Sequence, residues 1–321
     1  MSQFDEFDDD DHGPEWWEPS EDAVTHAGEP VPENMVFFEP PPREIGNVIS
    51  VWSSLKEGQQ PRSALVQLLI AGMIAVGVAL LILVIAASTF GGLESETVVL
   101  AGGFGLLVGL IAYFVVRFSH QCSYVGEHGI AIFKIKGNWN SPIKEQILVF
   151  EDAVTLNAAQ TRNYTNGIYT GTNYDFTWKD GAGGRLMRLN GNYHSKTGNP
   201  KAKSPFHLAR MGEYAWNIHL TDRLQKDLDE YGYVEFPVNK NDAVRVGPQF
   251  IEFCFKGRTE RVPAHAIKNL SINNGVFAIH TNEAKWFSSK GKFTFNYGSL
   301  ANAGMFIFSL ERLLGYDFSG Q

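Results

Sequence analysis

The chain has 321 residues, a net charge of −8 and two cysteines, Cys122 and Cys254. Two cysteines in a chain of this length exclude a small disulfide-stabilised module, and the length allows one to three domains. The charge is unevenly spread, because residues 1–42 hold 13 of the 35 acidic residues and no Lys or Arg. The rest of the chain is mildly basic, so we expect an acidic tail on a basic body.

Residues 1–43 are acidic and rich in proline, and this composition predicts a disordered acidic tail. The first residues are acidic, whereas a signal peptide has a basic stretch and then an apolar one, so we expect insertion to use internal segments. Trp16 and Trp17 form an aromatic pair in the tail. Either the tail only solvates the protein, or this pair docks in the groove of a protein partner.

Residues 44–60 contain apolar side chains at helical spacing: Ile45, Val48, Ile49, Trp52 and Leu55. This stripe predicts a short amphipathic juxtamembrane helix that lies in the membrane interface. The alternative is that the segment packs against the soluble domain.

Residues 61–120 contain two long apolar stretches, at 64–88 and 98–117, and these predict a transmembrane hairpin. The first stretch would be roughly 36 Å long as a helix, enough to cross a hydrocarbon core of ~30 Å. The connector carries acids and no base, whereas Lys56, Arg62 and Arg117 flank the outer ends. The positive-inside rule then predicts a multi-pass protein of the cell inner (cytoplasmic) membrane with both termini cytoplasmic.

The second stretch has small residues at four-residue spacing, Ala101, Gly105 and Gly109. Such a face lets helix backbones approach closely. We expect it to pack against the first span, and a homodimer through the second span is the alternative. Neither span contains a charged residue in its core, which argues against a channel or transporter.

From residue 121 onward, short alternating segments and turn dipeptides predict many antiparallel strands. We expect turns at Asn166-Gly167 and Asn190-Gly191, and one of the short strands at 285–287. A helix from Ser204-Pro205 to Gly232 divides the strands into two groups, and a last helix covers about 301–314. The predicted fold class is α+β, mainly β, with domains at 121–232 and 233–321, each a bent sheet or barrel closed by a C-terminal helix.

The two groups also align with each other. VGEHGI at 125–130, followed by KEQILVFEDAV at 144–154, matches VGPQFI at 246–251, followed by RVPAHAI at 261–267. The pattern resembles bacterial pleckstrin-homology-like domains. The stretch 275–306 resembles a bacterial membrane family with such a domain at its C-terminus. The resemblance covers about 121–316, apart from an insertion-like stretch at 160–205, and implies tandem pleckstrin-homology-like domains without known catalytic residues.

The sequence contains none of the common nucleotide-binding, hydrolase or zinc-protease motifs. Its nine histidines are scattered, without metal-ligand spacing. We therefore expect no catalytic residue, no cofactor and no metal, with an enzyme of unrecognised activity as the alternative.

One surface feature stands out, because six bases and no acid lie between Asp180 and Glu213. We interpret this run as a contact for anionic headgroups. The alternatives are the acidic tail, a plain solvated loop, or nucleic acid, which is not expected because no stacking platform is evident. The six bases are Arg185, Arg188, Lys196, Lys201, Lys203 and Arg210.

These expectations lead to a functional hypothesis. We expect a membrane-anchored, non-enzymatic scaffold whose cytoplasmic domains bind a protein partner or the surface of the inner leaflet. An accessory subunit of a membrane assembly is a further alternative.

Overall fold

The computed structural model describes residues 16–61, 63–90, 95–115, 117–195, 200–285, 287 and 290–316. Within these ranges, two long helices interrupt the first of two similar β repeats. Each repeat has a four-stranded antiparallel sheet, a three-stranded antiparallel sheet and a closing helix.

The two apolar stretches form the helices α1 (Ala64–Phe90) and α2 (Ser95–Val115). The prediction of two long apolar helices is confirmed, with small changes at their ends. Because they follow each other closely and pack together, they form an antiparallel pair, which we call the α1–α2 hairpin.

The first sheet contains strands on both sides of this hairpin. Its order is β1-β2-β3-β4, and β1 pairs with β2 from Val48 opposite Gly126 to Ser53 opposite Cys122. The α1–α2 hairpin is therefore inserted between two paired strands. The strands are β1 (Val48–Ser53), β2 (Ser119–Gly126), β3 (Gly129–Lys136) and β4 (Lys144–Val149).

The predicted juxtamembrane helix at 44–60 is wrong. A 3-10 turn at Arg43–Ile45 leads into β1, and Val51 and Leu55 are buried in the protein. The helical spacing of apolar residues was misleading, because the β-branched residues of VISVW also favour a strand. The alternative, packing against the soluble domain, agrees with the structure, and the first repeat begins at Val48 instead of residue 121.

A 3-10 turn at Phe150–Asp152 joins the first sheet to the second, and the repeat ends with a long helix. Gly212 of this helix lies so close to the strands that a Cβ there would sit 2.6 Å from Cδ1 of Ile130. The helix thus closes the space between the two sheets. These elements are β5 (Thr155–Thr165), β6 (Ile168–Lys179), β7 (Arg185–Tyr193) and α3 (Phe206–Tyr231).

The second repeat has the same order, including a 3-10 turn at Ala264–Ala266 between its sheets. The aligned sequence segments fall on equivalent elements, since 125–130 and 246–251 each form a strand–turn–strand corner. The predicted repeat is thus seen in the topology. Its elements are β8 (Val234–Pro237), β9 (Ala243–Gly247), β10 (Phe250–Phe255), β11 (Arg258–Pro263), β12 (Ile267–Asn273), β13 (Val276–Thr281), β14 (Lys292–Asn296) and α4 (Ala303–Leu314).

Two local predictions fail. Asn190-Gly191 lies inside β7, where Gly191 gives room for the ring of Tyr174, whose hydroxyl would sit 2.7 Å from an added Cβ. The glycine reflects a cross-strand ring contact and not a turn. Lys285 and Phe287 lie in the connection between β13 and β14 and not in a strand.

The prediction of a disordered tail is wrong for residues 16–43. Phe37 and Phe38 are completely buried in a second hydrophobic cluster, with Tyr124 and Phe133 of the first sheet. The proline-rich composition hid the fact that these aromatic side chains bury enough surface to order the segment. Residues 1–15 of the predicted tail lie outside the described residues.

Candidate functional site

The α1–α2 hairpin leaves its apolar side chains uncovered by protein. In the most apolar stretch of 18 residues within Leu65–Thr89, only 6% of the residues are buried. In the corresponding stretch of Ser95–Val115, 17% of the residues are buried. An apolar core helix of a soluble protein is covered by its neighbours. Both helices are long and apolar enough to span a membrane.

The small residues of α2 lie against α1. A Cβ on Gly105 would lie 2.5 Å from the carbonyl oxygen of Ala75, and one on Gly109 would lie 2.6 Å from Cβ of Ala75. Ala101 on the same face is completely buried. Because the α1–α2 contact occupies this face, a homodimer through α2 would have to use another one.

We call the end of the first sheet from which α1 departs and to which α2 returns the helix end. Trp139, in the loop between β3 and β4, donates its indole hydrogen to Oε1 of Gln60 at 3.0 Å and packs on Phe118. Trp16 packs on Trp139 from the other side and stays 54% exposed. Tryptophan is the side chain typical of membrane–water interfaces.

Several bases lie exposed at the helix end. Arg117 is the second residue after the end of α2, and the sheet register places Lys136 opposite Ser119 and Lys134 opposite Lys144. Aromatic and basic side chains thus surround the points where the chain enters and leaves the α1–α2 hairpin. The exposed bases are Lys56, Arg117, Lys134, Lys136 and Lys144.

The aromatic pair that was predicted to dock on a partner contacts the protein's own first repeat. Trp17 donates its backbone N–H to the carbonyl of Phe37 at 3.1 Å, and its ring meets Tyr124 edge-on at 5.3 Å. The hydroxyl of Tyr124 donates to the carbonyl oxygen of Glu39. We call residues 16–43 the N-terminal strap, since they cross the outer face of the first sheet.

His26 fixes the strap at a polar point. Its ring nitrogens lie 2.8 Å from Oγ of Ser50 on β1 and 3.0 Å from Oγ of Ser123 on β2. Burial, with a smaller effect from His207, lowers the pKa of His26 to about 3. A neutral imidazole has one donor and one acceptor nitrogen, and two hydroxyl groups satisfy both.

The six bases that were predicted to contact an anionic surface differ in their surroundings. Arg188 pairs with Asp175 at 2.5 Å, and Arg210 pairs with the buried Glu213. Arg185 begins β7 beside the 180–184 turn, and Lys201 and Lys203 lie exposed in the loop before α3. Lys196 lies outside the described residues. The five described bases therefore do not form one patch.

An open groove of about 560 Å³ lies at the opposite end of the first sheet, between the β2–β3 turn and α3. The ring of His219 stacks on Trp216 and lies 6.4 Å from that of His128. Burial and the charge of His128 lower the pKa of His219. The groove also presents both signs of charge, from Glu44, Glu151, Asp222, Arg223 and Lys226.

The lining of this groove combines two histidines with charges of both signs. Among the described residues that line it, none is Ser, Thr or Cys, so the histidines face no hydroxyl or thiol nucleophile. Among the described parts of the chain no three His, Cys, Asp or Glu side chains are grouped to hold a metal ion. The arrangement can pair with a polar surface of mixed charge.

Sequence reasoning missed the groove, the strap and the Trp139 contact. The signal for the strap was the pair Phe37-Phe38 inside a proline-rich stretch. The signal for Trp139 was an aromatic residue in a polar turn, three residues after Lys136. The groove residues come from segments far apart in sequence, and no motif or regular spacing in the sequence links them. Comparison of the chain with models of protein families and with curated proteins gives no match.

Proposed function

We propose that this protein is a non-enzymatic scaffold, anchored by α1 and α2 in the inner (cytoplasmic) membrane, whose two β repeats are pleckstrin-homology-like domains facing the cytoplasm. Support for the domain type comes from the order of elements, four strands, three strands and a closing helix, which occurs twice. The repeats present surfaces for a protein partner or for the leaflet.

One observation carries the proposal, namely the insertion of the α1–α2 hairpin between the paired strands β1 and β2. Because both ends of the hairpin return to one sheet, the strap and both repeats lie on the same side of the bilayer. The sheet is attached to the membrane at two points, through β1 to α1 and through β2 to α2. This double attachment limits its motion and suits it to present a binding surface. The bases at the helix end favour the cytoplasmic side under the positive-inside rule.

The groove lined by His128 and His219 is the surface that we assign to a protein partner. It lies at the end of the first sheet away from the membrane, so a partner approaches it without obstruction by the bilayer. Its mixed charges suit a polar peptide surface better than an anionic membrane.

The anchorage is tested by cysteine labelling in sealed vesicles of known orientation, with Cys254 replaced by serine. Lys136→Cys reports the helix end, and Ser95→Cys reports the start of α2. We expect an impermeant maleimide to reach residue 136 only from the cytoplasmic face and residue 95 only from the other face. Labelling of both from one face would contradict a membrane-spanning hairpin.

The scaffold role is tested by site-specific photo-crosslinking in intact membranes. A crosslinker at Asp222, in the groove, is compared with one at the exposed Glu235 on the second repeat. We expect a discrete adduct from position 222 that disappears with Arg223→Glu. Identical adducts from both positions, unaffected by that change, would count against a partner in the groove.

A further inference from the structure

The β5–β6 ribbon, which consists of β5, β6 and their turn, extends far beyond the core of its repeat. It ends in a two-residue turn with Asn166 and Gly167 both at positive φ, 51° and 78°. The equivalent turn of the second repeat has the same geometry, with Asn274 at 49° and Gly275 at 75°. Yet β5 has 11 residues and β12 only 7, and this difference lengthens the first ribbon by about 13 Å.

The extra length carries large side chains that are mostly exposed. Tyr164 is 60% exposed and Ile168 is 67% exposed. The tip is nonetheless ordered by its own contacts, because the Tyr164 and Tyr169 rings lie 5.8 Å apart and Tyr169 shares a 2.8 Å hydrogen bond with Thr172. An ordered apolar tip held out from the fold indicates an interaction surface.

The direction of the ribbon follows from the contacts of β6 along α3. The α1–α2 hairpin and the Trp139 loop lie at the helix end, and the His128 turn and the 150–152 turn lie at the opposite end. α3 begins near Ser123 and reaches His128 at His219, so it runs from the helix end to the opposite end. Trp178 of β6 lies against Gly212 and Tyr174 lies against Phe206, so the ribbon extends toward the helix end from Trp178 to Tyr174 and on to its tip. The loop before α3 follows β7 to the same end, where Lys203 and Ser204 line one small cavity with Trp52 and Gln121.

The length suffices to reach the level at which α2 ends. Tyr174 of β6 packs on Phe206 at the start of α3, and Ile168 lies at most about 20 Å further toward the helix end. Leu208 lines the same small cavity as Ser123, and β2 begins about 13 Å before Ser123 in the same direction. The ribbon is therefore long enough for its tip to lie level with the end of α2.

The segments that form the tip and the loop before α3 carry charge of one sign. Residues 153–174 and 181–212 contain no Asp or Glu. Arg162 near the tip and Lys201 and Lys203 in the adjacent loop are exposed. Arg188 and Arg210 pair with Asp175 and Glu213. Among the described residues of the ribbon and of the loop before α3, the exposed cations are therefore Arg162, Lys201 and Lys203, and they add to the bases already described at the helix end.

We propose that the tip of the β5–β6 ribbon, residues 164–169, seats in the headgroup layer of the bilayer that holds α1 and α2, with Arg162, Lys201 and Lys203 contacting anionic lipid phosphates. The inference rests on the proposed membrane anchorage and adds a third attachment to the two helix ends. It assigns the membrane contact to the first repeat alone, since the shorter ribbon of the second repeat does not carry the tyrosine pair.

The experiment uses the full chain in liposomes of phosphatidylcholine alone or mixed with phosphatidylglycerol. An environment-sensitive dye is attached at Ile168→Cys in a Cys254→Ser background, and burial, which raises the pKa of Cys122 to about 12, keeps that thiol unlabelled. Val276→Cys at the equivalent turn is the matched control, and Leu81→Cys reports insertion of α1. Doxyl-labelled lipids quench dyes that lie in the membrane.

We expect a blue shift and lipid quenching at position 168 in anionic liposomes, a loss of both on Lys201→Glu with Lys203→Glu, and neither effect at position 276. A water-exposed dye at 168 beside a quenched dye at 81 would overturn this inference and leave the anchorage intact. An unquenched dye at 81 would overturn both. If quenching at position 168 were the same with and without phosphatidylglycerol, and the same after the lysine substitutions, the recognition of anionic lipid would be refuted.

Discussion

The side-chain oxygen of Asn302 lies 3.0 Å from the indole nitrogen of Trp216, so an amide at the start of α4 accepts a hydrogen bond from the middle of α3. The same oxygen accepts from the backbone N–H of Leu156 at 2.9 Å, and the amide nitrogen donates to the carbonyl of Val154 at 3.3 Å. Asn302 itself has φ of 55°, in the left-handed region. One side chain thus joins the closing helix of the second repeat to the helix and first strand of the second sheet in the first repeat.

Removal of this amide should weaken the whole soluble region. In Asn302→Gly the left-handed backbone is retained, and the loss of acceptors for the two donors costs about 1–3 kcal/mol for each donor left unsatisfied. Asn302→Ala should be less stable by a further ~1 kcal/mol, because a Cβ disfavours positive φ. Chemical denaturation of the detergent-solubilised protein gives both values. Equal stability of the glycine variant and the natural protein would show that the amide does not join the repeats.

The two fully buried tryptophans provide a matched pair. Trp216 donates to Asn302, whereas the indole nitrogen of Trp178 finds no hydrogen-bond partner among the described residues. Both Trp→Phe substitutions lose similar volume, so the difference isolates the hydrogen bond. We expect Trp216→Phe to lower the free energy of unfolding by about 1 kcal/mol more than Trp178→Phe. The reverse order would contradict the assigned bond.

Glycine positions on α2 should differ in their tolerance of a methyl group. Replacement by alanine raises helix propensity by up to about 1 kcal/mol at any exposed position. Gly102 has no atom within 4 Å of an added Cβ, whereas Gly105 faces the backbone of α1 at 2.5 Å. Gly102→Ala should therefore keep or raise the melting temperature in detergent, and Gly105→Ala should lower it. Similar melting temperatures for the two variants would rule out the close helix contact.

Truncation of the strap's buried aromatic residue should destabilise the first repeat. Phe37 is completely buried against Trp17 and Tyr124, and Phe37→Ala should cost about 3–5 kcal/mol. Trp16→Ala, half exposed on Trp139, serves as the control and should cost far less. Limited proteolysis between residues 16 and 43 follows the strap directly. Unchanged protection in Phe37→Ala would show that the strap is held by other contacts.

Acid should loosen the strap through His26. Its pKa is about 3 when folded, because burial disfavours the charged ring, and about 6.5 when unfolded. The contribution of the neutral His26 to the free energy of unfolding is therefore fully present above about pH 6.5. It is lost as the pH falls toward 3, by about 1.4 kcal/mol per pH unit. Between about pH 7.5 and about pH 5 the natural protein should lose about 2 kcal/mol more than His26→Asn. An identical pH dependence of the two proteins would exclude His26 as the titrating group.

Much of the fold could be predicted because its signals are local. Twenty or more apolar residues without a charge specify α1, and alternation with Asn-Gly or Gly turns specifies β3, β10 and β13. The repeat was visible because residues at equivalent corners are alike, as at Gly126 and Gly247. These features depend on neighbours in sequence.

The remaining features depend on partners far along the chain. β1 was misread because its pairing strand lies beyond the α1–α2 hairpin, and nothing within residues 44–60 reveals that partner. The strap was misread because Phe37 and Phe38 are ordered by Tyr124 and Phe133, which composition does not show. The groove brings together residues from four separate segments, and only the fold makes them neighbours.

The position of the α1–α2 hairpin also sets the order in which the protein folds. β1 emerges from the ribosome first, but its partner β2 follows only after residues 54–118, so the first sheet cannot close until both apolar helices have been synthesised. Once α1 and α2 pack together, they bring residues 53 and 119 close, which removes most of the entropy cost of joining strands so far apart in sequence. Completion of the first sheet therefore depends on completion of the helix pair, and a chain whose second helix fails to pack on the first is left with an unpaired β1.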